Sequence, residues 1–324
     1  MSVKIGFIGT GGVSRGHRQR LKHIDGVQVV AMCDIVEERA VEAAAEWDAK
    51  VFTDYREMLN AVEMDAVYVC VPPFAHDTQE ILAAEKGMAV FVEKPVSVSM
   101  GKAREVEAAI RENGVVSCAG FQDRYLDVIA QTKELLKHRP VGLAMGYWMG
   151  GMPGVPWWRQ KEMSGGQAVE QTIHITDMCR YLFGEVKSVF AGGRTGLMAD
   201  VAHYNIEDAS SATMMFENGI LATVFSACFL SVGNKGGIDI FTKDMVIEYT
   251  ERRSIHIVRK DRSELVEVQN DYGQAHDNAF IEAVRTGDGS KVRSPYSDAV
   301  KTQQVVMAVN RSLETGEPVM IADV

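Results

Sequence analysis

Cysteine, positive charge and long apolar runs are all scarce in this chain. The five cysteines, Cys33, Cys70, Cys118, Cys179 and Cys228, lie far apart, form no CxxC pair and are odd in number. That spacing argues against both a zinc knuckle and a disulfide framework. Cys33 and Cys70 sit inside apolar strand-like runs and read as small buried thiols. No apolar run approaches the ~18 residues of a membrane span. The first strand begins within three residues of Met1, which leaves no room for the basic and apolar regions of a signal peptide, so a cytoplasmic protein is expected. With a formal net charge of −10, the surface field repels phosphates at long range. A nucleic acid or anionic membrane is therefore a poor partner, and a small molecule a better one. The 324 residues, 46% hydrophobic and 24% charged, suffice for two globular domains.

The chain is organised around residues 3–34. The apolar run Val3 to Ile8 breaks at Gly9-Thr10-Gly11-Gly12-Val13-Ser14, the pattern of a strand feeding a glycine turn. Gly9 permits the tight turn and Gly11 lets a pyrophosphate approach the backbone, while the following segment to about residue 23 forms a helix whose N-terminal N–H groups face the anion. A second β-rich run, 27–33, ends at Asp34, twenty-five positions after Gly9. A carboxylate there accepts the hydroxyls of an adenosine ribose and repels a 2′-phosphate, so NAD is expected rather than NADP. Ser14 stands where a third glycine or alanine is usual. A GxG turn alone also fits an ordinary strand-turn-helix; the flanking strand, helix and acid together point to a dinucleotide site.

Strands and helices then alternate: helix 37–47, strand 50–52, helix 55–62, strand 65–71, helix 78–86, strand 89–92, helix 100–113 and strand 115–119. This is the pattern of a doubly wound parallel sheet, with a boundary near Gly120. Pro72-Pro73 ends the fourth strand, because neither proline can donate to a ladder, and turns the chain along the carboxyl edge where ligands lie in such sheets. Val71 and His76 flank that turn, although a lone histidine opening a helix is equally a polar cap. The fifth strand ends in Glu93-Lys94-Pro95. A lysine there projects toward the nicotinamide end of a cofactor; the competing reading is a surface lysine paired with Glu93.

A helix over 122–137, opening Gln122-Asp123-Arg124-Tyr125, and a strand over 141–147 begin the second half. The loop from Trp148 to Arg159 holds three of the four tryptophans, among them Trp157 and Trp158. Such a loop either packs inward or covers a ligand, and indole faces suit the apolar faces of a sugar. A helix over 168–183 puts Glu170, His174 and Asp177 at i, i+4 and i+7 on one face, where a carboxylate can fix the imidazole tautomer for general-base work. A solvated polar stripe has the same spacing. Period-two runs over 188–194, 209–216, 220–229, 237–242, 245–249, 255–259 and 265–268 follow, with Glu217-Asn218-Gly219 as a hairpin turn. They predict an open, mainly antiparallel sheet whose second face another subunit could cover. Helices over 274–286 and 297–314 close the chain.

These residues resemble the oxidoreductase family named after glucose-fructose oxidoreductase, inositol dehydrogenase and MocA. The resemblance covers essentially the whole chain. It rests on the Gly9-Thr10-Gly11-Gly12 turn with His17 following, on Asp34, on Pro72-Pro73 with His76, and on Glu93-Lys94-Pro95. Gly120-Phe121 with Arg124, the helix carrying His174 and Asp177, and Phe216-Glu217-Asn218-Gly219 add to it. It implies an N-terminal Rossmann domain (residues 1–121), a C-terminal substrate-binding and oligomerisation domain (residues 122–324) with an open sheet, and a homodimer or homotetramer.

The implied activity is NAD(P)-dependent oxidation of a sugar or polyol hydroxyl. Lys94 and His174 are the implied catalytic residues, with Glu170 at the family's aspartate position, and no metal is called for. The cofactor is expected against Gly9, Thr10, Gly11, Gly12, Val13, Asp34, Val71, Pro72, Pro73, His76, Glu93 and Lys94. The substrate is expected against Lys94, Arg124, Tyr125, Trp157, Trp158, Gln171, His174 and Asp177. Asp177 binds a substrate hydroxyl or supports its helix. Two other readings keep the cofactor: an NAD-dependent glycosidase working by transient oxidation, and a non-catalytic NAD-binding sensor.

Overall fold

A computed structural model describes residues 2–324 as two compact units, one of residues 2–122 with 271–300, the other of 123–270 with 301–324. The segment Asp271–Val300 groups with the first unit, so the chain passes from one unit to the other three times.

In the first unit β1 (Val3–Ile8), α1 (Gly12–Leu21), β2 (Val27–Cys33), α2 (Glu37–Ala45), β3 (Lys50–Phe52), α3 (Tyr55–Ala61), β4 (Ala66–Val69), α4 (Gln79–Glu85), β5 (Ala89–Val92), α5 (Met100–Asn113) and β6 (Ser117–Ala119) alternate. The six strands are parallel in the order β3-β2-β1-β4-β5-β6, as the alternation predicts. β4 and β5 are buried at every position, which is why they read as continuous apolar runs. Their core is aromatic: Phe7 stacks on Tyr68 at 4.9 Å and Tyr68 on Phe91 at 4.5 Å. Phe280, brought back with the segment 271–300, meets both Tyr68 and Phe91 edge-on at 5.4 Å.

In the second unit a 3-10 turn over Gln122–Tyr125 leads to α6 (Asp127–Leu136), β7 (Val141–Met149), a second 3-10 turn (Pro156–Arg159), α7 (Lys161–Ser164), α8 (Gln167–Glu170) and α9 (Ile173–Phe183). There follow β8 (Val186–Arg194), β9 (Ala209–Phe216), β10 (Leu221–Ala227), β11 (Lys235–Thr242), β12 (Met245–Thr250), β13 (Ser254–Arg259) and β14 (Ser263–Glu267). The helices α10 (Tyr272–Thr286) and α11 (Tyr296–Thr315) and a two-residue strand β15 (Val319–Met320) end the chain. The sheet runs β14-β13-β12-β11-β7-β10-β9-β8-β15. All its pairs are antiparallel except β7 with β10, which are parallel. Across it, Met320, Ser188, Met215, Leu221, Leu143 and Phe241 form one row of paired positions. Four of them, Met320, Met215, Leu221 and Leu143, are exposed. On the opposite face α9 lies close to β7, since a β-carbon at Gly146 would stand 2.5 Å from Ile175 Cγ2.

Two expected helices are broken. The segment 122–137 is a 3-10 turn and α6 separated by Leu126, which is extended (φ −60°, ψ 134°) and fully buried; burying that side chain overrides helix propensity. The segment 168–183 is α8 and α9. Both the N–H and the hydroxyl of Thr172 bond the Gln167 carbonyl, at 2.9 and 2.8 Å, closing a tight turn in competition with the helical ladder. Glu170 therefore does not share a continuous helical face with His174 and Asp177.

Gly9 sits at φ 85°, and a β-carbon there would lie 2.5 Å from the Cys70 carbonyl oxygen and 3.1 Å from Val71 Cγ1. Substituting Gly9→Ala combines backbone strain with overpacking against rigid backbone, so urea unfolding should show a loss of about 2–4 kcal/mol.

Candidate functional site

Each unit carries its own set of chemical groups, beginning in the first with the glycine turn. Asp34, at the end of β2, accepts the Thr10 N–H at 2.8 Å and the Thr10 hydroxyl at 3.0 Å on Oδ2, and the Val36 N–H at 3.0 Å on Oδ1. The carboxylate thus ties the turn to the strand and keeps an accepting lone pair on Oδ1. No side chain caps the N-terminus of α1 and its first turn holds no acid. A β-carbon at Gly11 or Gly12 would meet nothing within 4 Å. The N–H groups at this helix start thus have an open approach and a favourable dipole for an anion. Ser14 fits the usual glycine position because it is buried and its hydroxyl donates to the Gly11 carbonyl at 2.8 Å. The turn, the open helix start and the acid ending β2 fit the pyrophosphate and ribose of NAD. Val71 lies beside Gly9. Pro73 opens a 3-10 turn, and the buried His76 shares a hydrogen bond of 2.5 Å between Nδ1 and Oε1 of the buried Glu80.

Just after β5, Glu93 is held by two groups. Its Oε1 lies 2.9 Å from His17 Nε2, and its Oε2 accepts the backbone N–H of Lys94 at 3.2 Å. The other His17 nitrogen, Nδ1, lies 2.7 Å from Asp277 Oδ1. Asp277 Oδ2 takes Arg20 Nε at 2.5 Å, and its Oδ1 takes the Tyr68 hydroxyl at 3.2 Å. Burial works to lower the His17 pKa, but the charge and hydrogen bond of Asp277, helped by Glu93, raise it from 6.5 to about 9. Burial would raise Glu93 and Asp277, but both are held below the usual carboxylate range, chiefly by His17. His276, beside them, is pushed down to about 4 by burial and stays neutral.

In the second unit Asp123, Arg124 and Tyr125 are buried in their 3-10 turn. Arg124 grips Asp177 with two bonds, Nε to Oδ2 at 2.8 Å and Nη2 to Oδ1 at 2.5 Å, and Thr302 donates to the same Oδ1 at 2.8 Å. His174 is 9% exposed; its ring stacks on Trp148 at 5.3 Å and 21°. Its Nδ1 lies 4.0 Å from Asp123 Oδ2, and Asp123 in turn accepts Arg252 Nε at 2.7 Å and Nη2 at 3.3 Å. Trp148, Asp123 and Arg252 were not among the expected site residues. Arg252 stands 129 positions from Asp123 and no local pattern joins them, although its left-handed backbone (φ 53°) marks a tight β12–β13 turn. Glu170 lies at the end of α8 and Gln171 in the break after it (φ −116°, ψ −57°). In the loop, Trp157 and Trp158 stack on each other at 6.3 Å. Arg159 donates to the Pro153 and Gly154 carbonyls at 2.9 and 3.3 Å, locking the loop on itself.

A doubly wound sheet with a dinucleotide turn and a strand-end lysine, joined to a unit with an open mixed sheet and a buried imidazole, defines a nicotinamide-dependent oxidoreductase. A model described as the oxidoreductase family, NAD-binding Rossmann fold, matches residues 3–121, and one for the GFO/IDH/MocA C-terminal domain matches residues 139–248. The chain belongs to the Gfo/Idh/MocA family of NAD-binding oxidoreductases. It is similar to the uncharacterised oxidoreductase YrbE of Bacillus subtilis, 28% identical over 334 residues, covering 98% of this chain and 96% of that protein. It is also similar to the myo-inositol 2-dehydrogenase of Thermotoga maritima, 25% identical over 319 residues, covering 98% of this chain and 90% of that one. Among solved structures, the WlbA dehydrogenase of Bordetella pertussis in complex with NADH and UDP-GlcNAcA has the same fold, with a TM-score of 0.86, 20% identity and 99% of each chain covered.

Two measurements test the buried charges. Because the His17 pKa is higher in the folded state, its contribution, about 3 kcal/mol for a shift of this size, is complete below about pH 6.5 and disappears as the pH rises through about 9. Chemical unfolding at a series of pH values should therefore show stability falling across that window. Substituting Arg124→Met strands the Asp177 carboxylate and should cost about 3–5 kcal/mol by the same measurement.

Proposed function

We propose that the protein is an NAD-dependent dehydrogenase that oxidises a secondary hydroxyl of a sugar, sugar derivative or polyol such as an inositol. What supports this reading is the local setting of two chemical groups, each within its own unit. Lys94 ends β5 with its backbone N–H on Glu93, and His174 has an indole against its face and a carboxylate 4.0 Å from Nδ1. The hydride acceptor in that reaction is the nicotinamide C4 of NAD. His174 takes the hydroxyl proton as the carbon loses its hydride, leaving a ketone, NADH and a proton on the imidazole. Lys94 stabilises the oxygen as negative charge develops on it. Asp123 attracts the imidazolium as it forms, while Arg252 shares the carboxylate's charge. The stacked Trp157 and Trp158 offer apolar faces to the ring of a sugar or cyclitol.

The exposed apolar row of the second sheet supports association with further copies of the chain, as a homodimer or homotetramer.

Absorbance at the NADH wavelength tests the reaction, with NAD or NADP and a panel of inositols, free sugars, sugar acids and glycosides. The expected result is NADH from a sugar or polyol, and little NADPH. Lys94→Ala and His174→Ala should each lower kcat by about 10²–10³ with NAD binding retained. Undiminished turnover in either variant would remove that residue from the mechanism. Release of an aglycone at constant NADH would turn the assignment to a glycosidase.

A further inference from the structure

We propose that His17 is a positioning residue for Lys94, joining the helix that starts at the glycine turn to the lysine through the Glu93 carboxylate. This rests on the reading of Lys94 as a catalytic residue. His17 lies in the second turn of α1 and is 2% exposed. Its two ring nitrogens face carboxylate oxygens at 2.7 Å and 2.9 Å. A neutral imidazole has one N–H and could satisfy only one of them; two carboxylates need two donors, which is the imidazolium. The link continues without a gap, because the oxygen of Glu93 that His17 does not hold accepts the N–H of Lys94 at 3.2 Å. Space for this carboxylate is kept by Gly120, where a β-carbon would come within 2.5 Å of it.

The surroundings of the ring leave little freedom. On one side are Asp277 and, next to it in α10, the neutral His276; on the other are Glu93 and the adjoining Lys94. From α1 itself Arg20 faces Nδ1, its Nη2 3.0 Å away and its Nε held on Asp277. The faces of the ring are covered by Tyr68 at 5.1 Å and Phe91 at 4.7 Å. A change in how α1 grips an anion at its N-terminus is thereby passed through His17 and Glu93 to the backbone of the lysine. Loss of the His17 proton cancels one of the two bonds and loosens the lysine at alkaline pH, independently of the titration of the lysine amine.

The test uses the holoprotein with NAD, its histidine rings and backbone amides labelled with ¹⁵N. The His17 ring should titrate with a midpoint near 9, and the Lys94 amide resonance should move with the same midpoint. In Asp277→Asn, which removes the charge without removing the side chain, both midpoints should fall together by at least about one pH unit. A Lys94 amide that stays still through the His17 titration, or keeps its wild-type midpoint in Asp277→Asn, overturns the proposal. His17→Gln, with the charge removed and an amide donor retained, should abolish the alkaline shift of the Lys94 amide. A thermal melt and NAD affinity within threefold of wild type confirm that the variant is folded. If the resonances move as expected but Lys94→Ala turns over normally, the coupling stands and the catalytic reading of the lysine falls. If Lys94→Ala is inactive and the resonances are uncoupled, the reverse holds.

Discussion

A charge buried in a protein interior persists only if a partner of opposite sign lies within hydrogen-bond reach, and each unit of this molecule is built around one such requirement. In the first unit, the His17 imidazolium lies between Asp277 and Glu93; in the second, Arg124 and Asp177 are 3% and 2% exposed side chains locked in a two-bond pair. These pairs are poor sources of net stability, because desolvation offsets most of the Coulomb gain. Their effect is on uniqueness: a donor or acceptor stranded in the interior is so costly that the elements carrying the partners have few alternative arrangements. Both pairs lie beside chemical groups, one a residue away from Lys94 and the other three residues along α9 from His174. The geometry there is set by satisfying buried charge more than by apolar packing.

The same reasoning explains why α10 belongs with the parallel sheet. Asp277 is fully buried against His17, Arg20 and Tyr68, and Phe280 one turn later closes the aromatic stack of Phe7, Tyr68 and Phe91. A helix supplying both a partner for a buried cation and the edge of an aromatic cluster cannot leave without exposing two kinds of cost at once. Periodicity over 274–286 identifies the helix. The partners of Asp277 are 209 to 260 positions away, and nothing in the helix's own pattern names them.

How much could be read from the chain divides along that line. That the six strands are parallel follows from alternation, and the glycine turn with its acid follows from local steric and electrostatic need, so both are legible. The hairpin at Gly219, where φ is 86°, is legible for the same reason. The split of one expected helix into α8 and α9 was not, because it depends on the Thr172 hydroxyl competing for a carbonyl, a choice that spacing does not encode. The row of exposed residues across the second sheet follows from period two once register is known, but register itself depends on pairs such as Leu143 with Leu221, 78 positions apart. Least legible is the environment of His174. Helical spacing offers Glu170 and Asp177; it does not offer Asp123, which lies 4.0 Å from Nδ1 and is held by Arg252 from a turn between two later strands.

Asp123 adds a charged group to the surroundings of the proposed base. Asp123 is 4.0 Å from the ring and already holds an arginine at 2.7 Å. Its field at the imidazole is partly cancelled by that arginine. A base must be unprotonated before the reaction and protonated after it. The Asp123 carboxylate attracts the imidazolium once it forms, Arg252 offsets part of that attraction, and the indole of Trp148 lies against one face of the ring.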